Sequence, residues 1–275
     1  MELYNQASYK ASKLITNEYS TSFGLSIRLF ATSLRPHIYA VYGLVRIADE
    51  VVDTYAGKDR LKVLNDLEKQ TMAAITTGYS TNPIIHAFAL TAREYAIDAS
   101  LIAPFFESMR MDITPQIFDQ KLYDSYIYGS AEVVGLMCLK VFTADAKLYS
   151  RLEKGAGKLG AAYQKINFLR DIAADAKGLG RWYFPISSFA AFDEKAKTVI
   201  VRDIEKDLAA AQKAIVKLPD SSQKAVSLSY QYYSELLKKI KLTPATRLRE
   251  ERIRVNNLQK TVLFARTSLS GNKHA

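Results

Sequence analysis

A single cysteine, Cys138, occurs in 275 residues. It excludes an internal disulfide and any multi-cysteine zinc or iron–sulfur site. Such scarcity leads us to expect a reducing, intracellular, cytoplasmic setting. Only three histidines are present, His37, His86 and His274. A histidine-rich metal centre is therefore excluded, and a Ser-His-Asp triad is poorly supplied. Twelve glycines and seven prolines are too few for a loop-rich all-β chain or a collagen-like one. No apolar run reaches the length that spans a bilayer, about 18 residues or more. Residues 1–13 carry no apolar core of a secretory signal, so none is expected.

What is present is apolar and basic. Hydrophobic residues make up 48% and charged residues 24%, enough for a packed core and against disorder. The net charge of +10 suits a polyanion, an anionic membrane surface or a phosphorylated substrate, without choosing among them. Apolar spacing reads as helix nearly throughout: 5–20, 34–55, 60–77, 83–97, 99–112, 119–142, 145–177, 193–216, 220–240 and 256–270. Gly78, Asn82-Pro83, Thr114-Pro115, residues 177–180, Pro185, Pro219 and Pro244 punctuate it. With no linker and no shift in composition, one all-α domain over residues 1–275 is expected.

Two helices carry an unusual pattern. Residues 38–53 are apolar on most sides, and Tyr42, Arg46, Asp49 and Asp53 follow at steps of 4, 3 and 4. That spacing places them on one helix face. An ordinary surface helix carries an apolar stripe on a polar cylinder, and this one is the inverse. It is expected to be buried, with its polar stripe facing an internal cavity. Asp49 and Asp53 repel each other by about 0.2–0.5 kcal/mol even when exposed, and more on burial. A divalent cation such as Mg²⁺ is the natural counter-charge, since it binds one or two carboxylates together with substrate phosphates. Residues 162–175 repeat the plan with Gln164, Asn167, Asp171 and Asp175. Two such helices facing each other would bring four carboxylates to the rim of one cavity. Metal ions there could stabilise a departing diphosphate. A third pair, Asp203 and Asp207, lies among mixed charges and reads as a solvated face.

These segments carry a resemblance to a known family. Three ordered blocks match: Ser20-Thr-Ser-Phe23 followed by residues 35–53; Tyr126-Ile-Tyr-Gly-Ser-Ala-Glu-Val-Val-Gly-Leu-Met137; and Tyr163-Gln-Lys-Ile-Asn-Phe-Leu-Arg-Asp-Ile-Ala-Ala-Asp175 with Gly180-Arg-Trp-Tyr-Phe-Pro185. The chain resembles the squalene/phytoene synthases, and within them looks most like bacterial phytoene synthases. The second block departs from the commonest pattern, which has Cys at the place of Ile127 and Val-Ala-Gly where this chain has Ser130, Ala131 and Glu132. Glu132 adds a carboxylate to a helix expected to line the pocket.

The resemblance implies an isoprenoid-synthase-type helical bundle around a central cavity. It implies that Asp49, Asp53, Asn167, Asp171 and Asp175 bind two or three Mg²⁺ ions, replaceable by Mn²⁺. It implies substrate contacts at Ser20, Ser22, Tyr42, Arg46, Gln164 and Arg170, with Tyr126 and Tyr233 as weaker candidates. Arginine suits the task because its planar fork gives paired charged hydrogen bonds to phosphate. The bland alternative for the serines is a helix cap. Ile27 is a candidate for the pocket floor.

The implied activity is that of a 15-cis-phytoene synthase, a prenyltransferase of carotenoid biosynthesis. It would join two geranylgeranyl diphosphates head to head through prephytoene diphosphate. A squalene or dehydrosqualene-type synthase acting on farnesyl diphosphate is the alternative, and a non-catalytic scaffold is another. No NADPH is expected. Residues 155–160 fit G-x-G-x-x-G, but the lead-in reads as helix where a dinucleotide fold needs a strand. Close helix packing is the better reading. The basic segment from Arg247 to Lys260 lacks any nucleic-acid-binding pattern, so no nucleic acid partner is expected. A solvated face, a phosphate rim or attraction to anionic lipid each explains it better. A peripheral contact with the membrane and with downstream carotenoid enzymes is compatible with a greasy product.

Overall fold

The computed structural model describes residues 1–114, 116–143, 145–185 and 188–269, the side chains of Thr21 and Ser22 excepted. Among these the secondary structure is helical, with no β-strand. The elements are α1 (Glu2–Tyr19), α2 (Thr21–Ile27), α3 (Arg35–Asp53), α4 (Arg60–Thr77), α5 (Pro83–Glu94), α6 (Ala99–Met111) and α7 (Gln120–Ile127). After a π turn, Tyr128–Glu132, come α8 (Val133–Thr143), α9 (Ala146–Gly178), α10 (Glu194–Ile215), α11 (Asp220–Leu242), α12 (Ala245–Leu248) and α13 (Asn257–Leu269).

Short polar side chains set the helix starts. Asn82, Asp98, Asp119, Asp145 and Asp193 each accept hydrogen bonds from backbone N–H groups of the first turn of α5, α6, α7, α9 and α10. These caps satisfy donors that have no partner within the helix. Ser20 does the same for α2, accepting from the Phe23 N–H at 3.3 Å, so the capping role anticipated for it is real. That cap splits off a helix, α2, that apolar spacing alone does not show.

The expected helix over 119–142 is interrupted at the π turn. A Cβ on Gly129 would fall 2.1 Å from the carbonyl oxygen of Pro104, so α6 crosses α7 and α8 at backbone contact. The wider turn re-aims the residues after it. Ser130 and Ala131 face a central cavity, while Glu132 turns away and meets Lys158 at 3.7 Å.

Two apolar clusters build the interior. One gathers residues of α2–α6 and α8, including Ile27, Phe88, Phe105 and Met137. The other gathers residues of α7 and α9–α12, including Ile166, Leu169, Ile204 and Leu237. The 33 residues of α9 span about 50 Å at 1.5 Å per residue. This helix packs against α8, α10, α11 and the π turn. The G-x-G-x-x-G segment lies within it. A Cβ on Gly155 would meet Ala214 of α10 at 2.3 Å, and one on Gly160 would meet the Ala131 carbonyl oxygen at 2.3 Å. Close helix packing accounts for these glycines.

Candidate active site

A cavity of about 1310 Å³ runs through the bundle, walled by side chains of both apolar clusters. Its apolar part includes Phe30, Ile38, Val41, Leu139, Phe142 and Leu152. Its polar end is made by the two stripes. Tyr42, Arg46, Asp49 and Asp53 come from α3, and Gln164, Asn167, Arg170, Asp171 and Asp175 from α9. Ser20, Tyr126 and Tyr233 line it as well. Of the substrate and metal positions expected from sequence, only the Ser22 side chain lies outside the described residues.

Charge is crowded here. Burial, and then the neighbouring Asp53, push the Asp49 carboxyl up to about 7. Burial, and then Asp171, push Asp175 up to about 7. Both groups face the cavity rather than bulk water. Burial also raises the Tyr42 hydroxyl to about 12, and its ring stacks on Phe23 at 4.3 Å. Tyr163 stacks on Tyr233 at 3.7 Å, giving the wall a flat aromatic face.

Arginines answer the acids. Arg170 donates to Asp171 at 2.6 Å, and Arg252 pairs with the other oxygen of Asp171, also at 2.6 Å. Arg181 donates to Asp53 at 2.6 Å. Arg46 pairs with Glu50 and approaches Asp49 at 3.6 Å, with its guanidinium 4.2 Å from the Tyr19 ring centre. Arg254 and Lys260 complete a cationic rim.

The sequence reading left several of these without a role. Arg181 and Tyr183 stood inside a quoted block but carried no assignment. Arg252, Arg254 and Lys260 belong to the basic segment, which the structure turns toward the cavity mouth as a rim. Asp112, a buried carboxylate at the end of α6, had no signal beyond an ordinary helix-terminal acid.

Two expectations are corrected. Ile27 is fully buried but does not line the cavity. On α2 the cavity face is taken by Phe23 and Ser26, and Ile27 points one step round into the first cluster. Asp203 and Asp207 do not form a solvated face. Asp207 is buried and accepts from Lys165 at 2.7 Å, with Lys158 at 3.5 Å, while Asp203 binds the same Lys165 from a more exposed position.

A family model described as squalene/phytoene synthase matches residues 16–259, nearly nine tenths of the chain. The chain is a member of the squalene/phytoene synthase family. Its similarity to a phytoene synthase of Arthrospira platensis is 30% identity over 201 residues, 68% of this chain and 63% of that protein. To a 4,4'-diapophytoene synthase of Staphylococcus haemolyticus it is 28% over 72% of this chain and 69% of the relative. In architecture it superposes on a dehydrosqualene synthase crystal structure with a TM-score of 0.82 at 19% identity, covering 96% of both chains. The isoprenoid-synthase-type helical fold of the squalene/phytoene synthases is therefore the fold of this chain. Members of this family are prenyltransferase-type enzymes. None of its described helices is long and apolar enough to cross a membrane.

The donors on α3 and α9 suit a hard cation. Asp49, Asp53, Asn167, Asp171 and Asp175 offer only oxygen, the ligand type of Mg²⁺. The buried Oδ1 of Asn167 has no hydrogen-bond partner, as expected of an oxygen reserved for a ligand. Among the described residues no three His, Cys, Asp or Glu side chains are gathered as a metal ion would need. Three of the four aspartates, Asp49, Asp53 and Asp171, are instead paired with arginine.

Proposed function

We propose that this chain is a Mg²⁺-dependent 15-cis-phytoene synthase that condenses two geranylgeranyl diphosphates head to head. One observation carries the reading. Two acidic stripes and a ring of cations meet at one end of a single cavity whose remaining walls are apolar. Such a cavity suits two diphosphate heads at the polar end and two hydrocarbon tails along the walls.

The chemistry follows from those walls. Arg46, Arg170, Arg181, Arg252 and Lys260 hold the diphosphates and stabilise the charge that builds as the first C–O bond breaks. Mg²⁺, held by Asp49, Asp53, Asn167, Asp171 and Asp175, would supply further positive charge to the leaving group. The double bond of the second substrate attacks the allylic cation, and a proton is lost as the cyclopropane of prephytoene diphosphate closes. The second C–O bond then breaks, the skeleton rearranges, and loss of a proton gives phytoene and a second diphosphate. Phe30, Ile38, Leu139 and Phe142 keep water from the cations. The stacked Tyr163 and Tyr233 present π faces, which attract positive charge. The product is apolar, which suits a protein working at the inner membrane surface without spanning it.

A reading in which two farnesyl diphosphates are joined is favoured by the similarity to the 4,4'-diapophytoene synthase. Product analysis separates the two. Purified protein with Mg²⁺ would receive either diphosphate, with and without NADPH, and the hydrocarbon would be identified by mass spectrometry. A C40 triene from geranylgeranyl diphosphate, made without NADPH and lost in Asp171→Ala, is the expected result. A C30 product from farnesyl diphosphate alone would move the function to the shorter substrate. No product from either would overturn both.

A further inference from the structure

The geometry points to Asp112 as a positioning residue that acts through Arg181 on the polar end of the cavity. This rests on the diphosphate reading above and goes beyond it. Three chain segments meet at this one carboxylate, and Arg181 links it to a fourth, the end of α3. Asp112 closes α6, its Oδ2 accepts from the Tyr126 hydroxyl of α7 at 2.6 Å, and its Oδ1 accepts from the Tyr183 hydroxyl at 2.8 Å. The Arg181 Nε lies 3.8 Å from Oδ1. Arg181 also donates to the backbone oxygens of Asp112 at 2.9 Å and of Val52, at the end of α3, at 3.0 Å. Its remaining nitrogen reaches Asp53 at 2.6 Å.

The arrangement has a direction. Residues 179–185 are not helical, and Gly180 takes a left-handed φ of +66°; the Arg181 N–H still donates to the Asp175 carbonyl at 2.9 Å, and beyond it side chains anchor the segment. Arg181 and Tyr183 both end on Asp112. The Asp112 and Arg181 side chains are only 5% and 9% exposed, so neither charge is compensated by bulk water. Arg181 is thus shared between a buried carboxylate and Asp53, an expected cation ligand. Without the Asp112 charge, the anions left to Arg181 are Asp53, which it contacts, and the nearby Asp175. Arg181 would bind Asp53 more completely and stand in the wrong place for a diphosphate. Groups that orient a ligand from behind typically change metal affinity by about 10- to 100-fold when altered.

The test uses inorganic diphosphate and Mg²⁺ as probes on the full chain, read by calorimetry, with melting temperature measured in parallel. Asp112→Asn keeps size and an acceptor oxygen but removes the charge. The half-saturating Mg²⁺ for diphosphate binding is expected to rise roughly tenfold. Tyr183→Phe removes one hydroxyl and leaves the charge, and is expected to lower the melting temperature without moving the Mg²⁺ requirement. In an Arg181→Gln background, Asp112→Asn is expected to add nothing, because neighbouring residues that act in series are not additive. If Asp112→Asn does not fold, Arg181→Gln alone decides, and unchanged diphosphate binding there overturns the proposal. Equal Mg²⁺ requirements in wild type and Asp112→Asn, or an equal shift in Tyr183→Phe, also overturn it. A wild-type chain that binds no diphosphate with Mg²⁺ overturns the diphosphate reading itself, and this inference with it.

Discussion

The two faces of α9 each involve an acid pair of the same i, i+4 spacing, one on α9 itself and one on α10, and the two pairs are treated in opposite ways. On the cavity face, Asp171 and Asp175 stand four residues apart with Asp53 nearby, and acids repel acids. On the outer face, Lys158 and Lys165 meet Asp203 and Asp207 of α10, also four residues apart, and every acid has a lysine. Burial lowers the Lys165 ammonium, and its hydrogen bonds to both aspartates outweigh that and raise it. In the first i, i+4 acid pair the built-in cations, Arg170 and Arg252, sit on Asp171, and in the second lysines reach both acids. The difference comes from the facing helix and not from the spacing.

Four experiments press on this contrast. The largest effect is expected from Asp171→Ala, a loss of about 100- to 1000-fold in turnover, as for other groups that stabilise transition-state charge. Asp203→Ala should stay within about twofold, because an exposed partner contributes little. Turnover assays on the two variants would erase the contrast if the losses were equal. Lys165→Met reverses the assay. It leaves Asp207 buried with only Lys158, and breaking such a pair should cost about 3 kcal/mol in a urea titration. Gly129→Ala tests the crossing that aims Ser130 and Ala131 at the cavity, and overpacking there should cost about 1–3 kcal/mol by the same titration.

The smallest effect is one of pH. Asp49 and Asp175 titrate near 7 in the folded chain, above the ordinary carboxylate value. Between about pH 4 and 7 the folded chain binds more protons than the unfolded one, so stability without metal falls as pH rises through that window. In EDTA the melting temperature should decline from pH 5 to pH 8, and Asp175→Asn should flatten the decline.

Much of the site was legible because a polar stripe in an apolar helix is conspicuous. Asp49, Asp53, Asp171 and Asp175 were visible for that reason, and so were Arg46 and Asn167 beside them. The capped helices were legible in outline, since Asp and Asn before apolar runs announce a start. Asp112 was not legible. It looks like any acid at a helix end, and its partners Tyr126 and Tyr183 reach it only after the chain turns back. Asp207 misled because its lysines lie on another helix. Ile27 misled because α2, which decides its direction, rests on the single serine cap at Ser20.

The small residues of α9 carry a consequence for the room in the chamber. Gly155, Ala156 and Gly160 line the cavity and touch α10, α8 and the π turn at once. Gly155 and Gly160 are already at the minimum of side-chain size, so mutation there can only narrow the chamber or push its neighbours apart. On the function proposed above, room for a longer hydrocarbon would have to come from other walls, such as those bearing Phe30 and Phe142. At Gly155 and Gly160 substitution can only take space from the chamber.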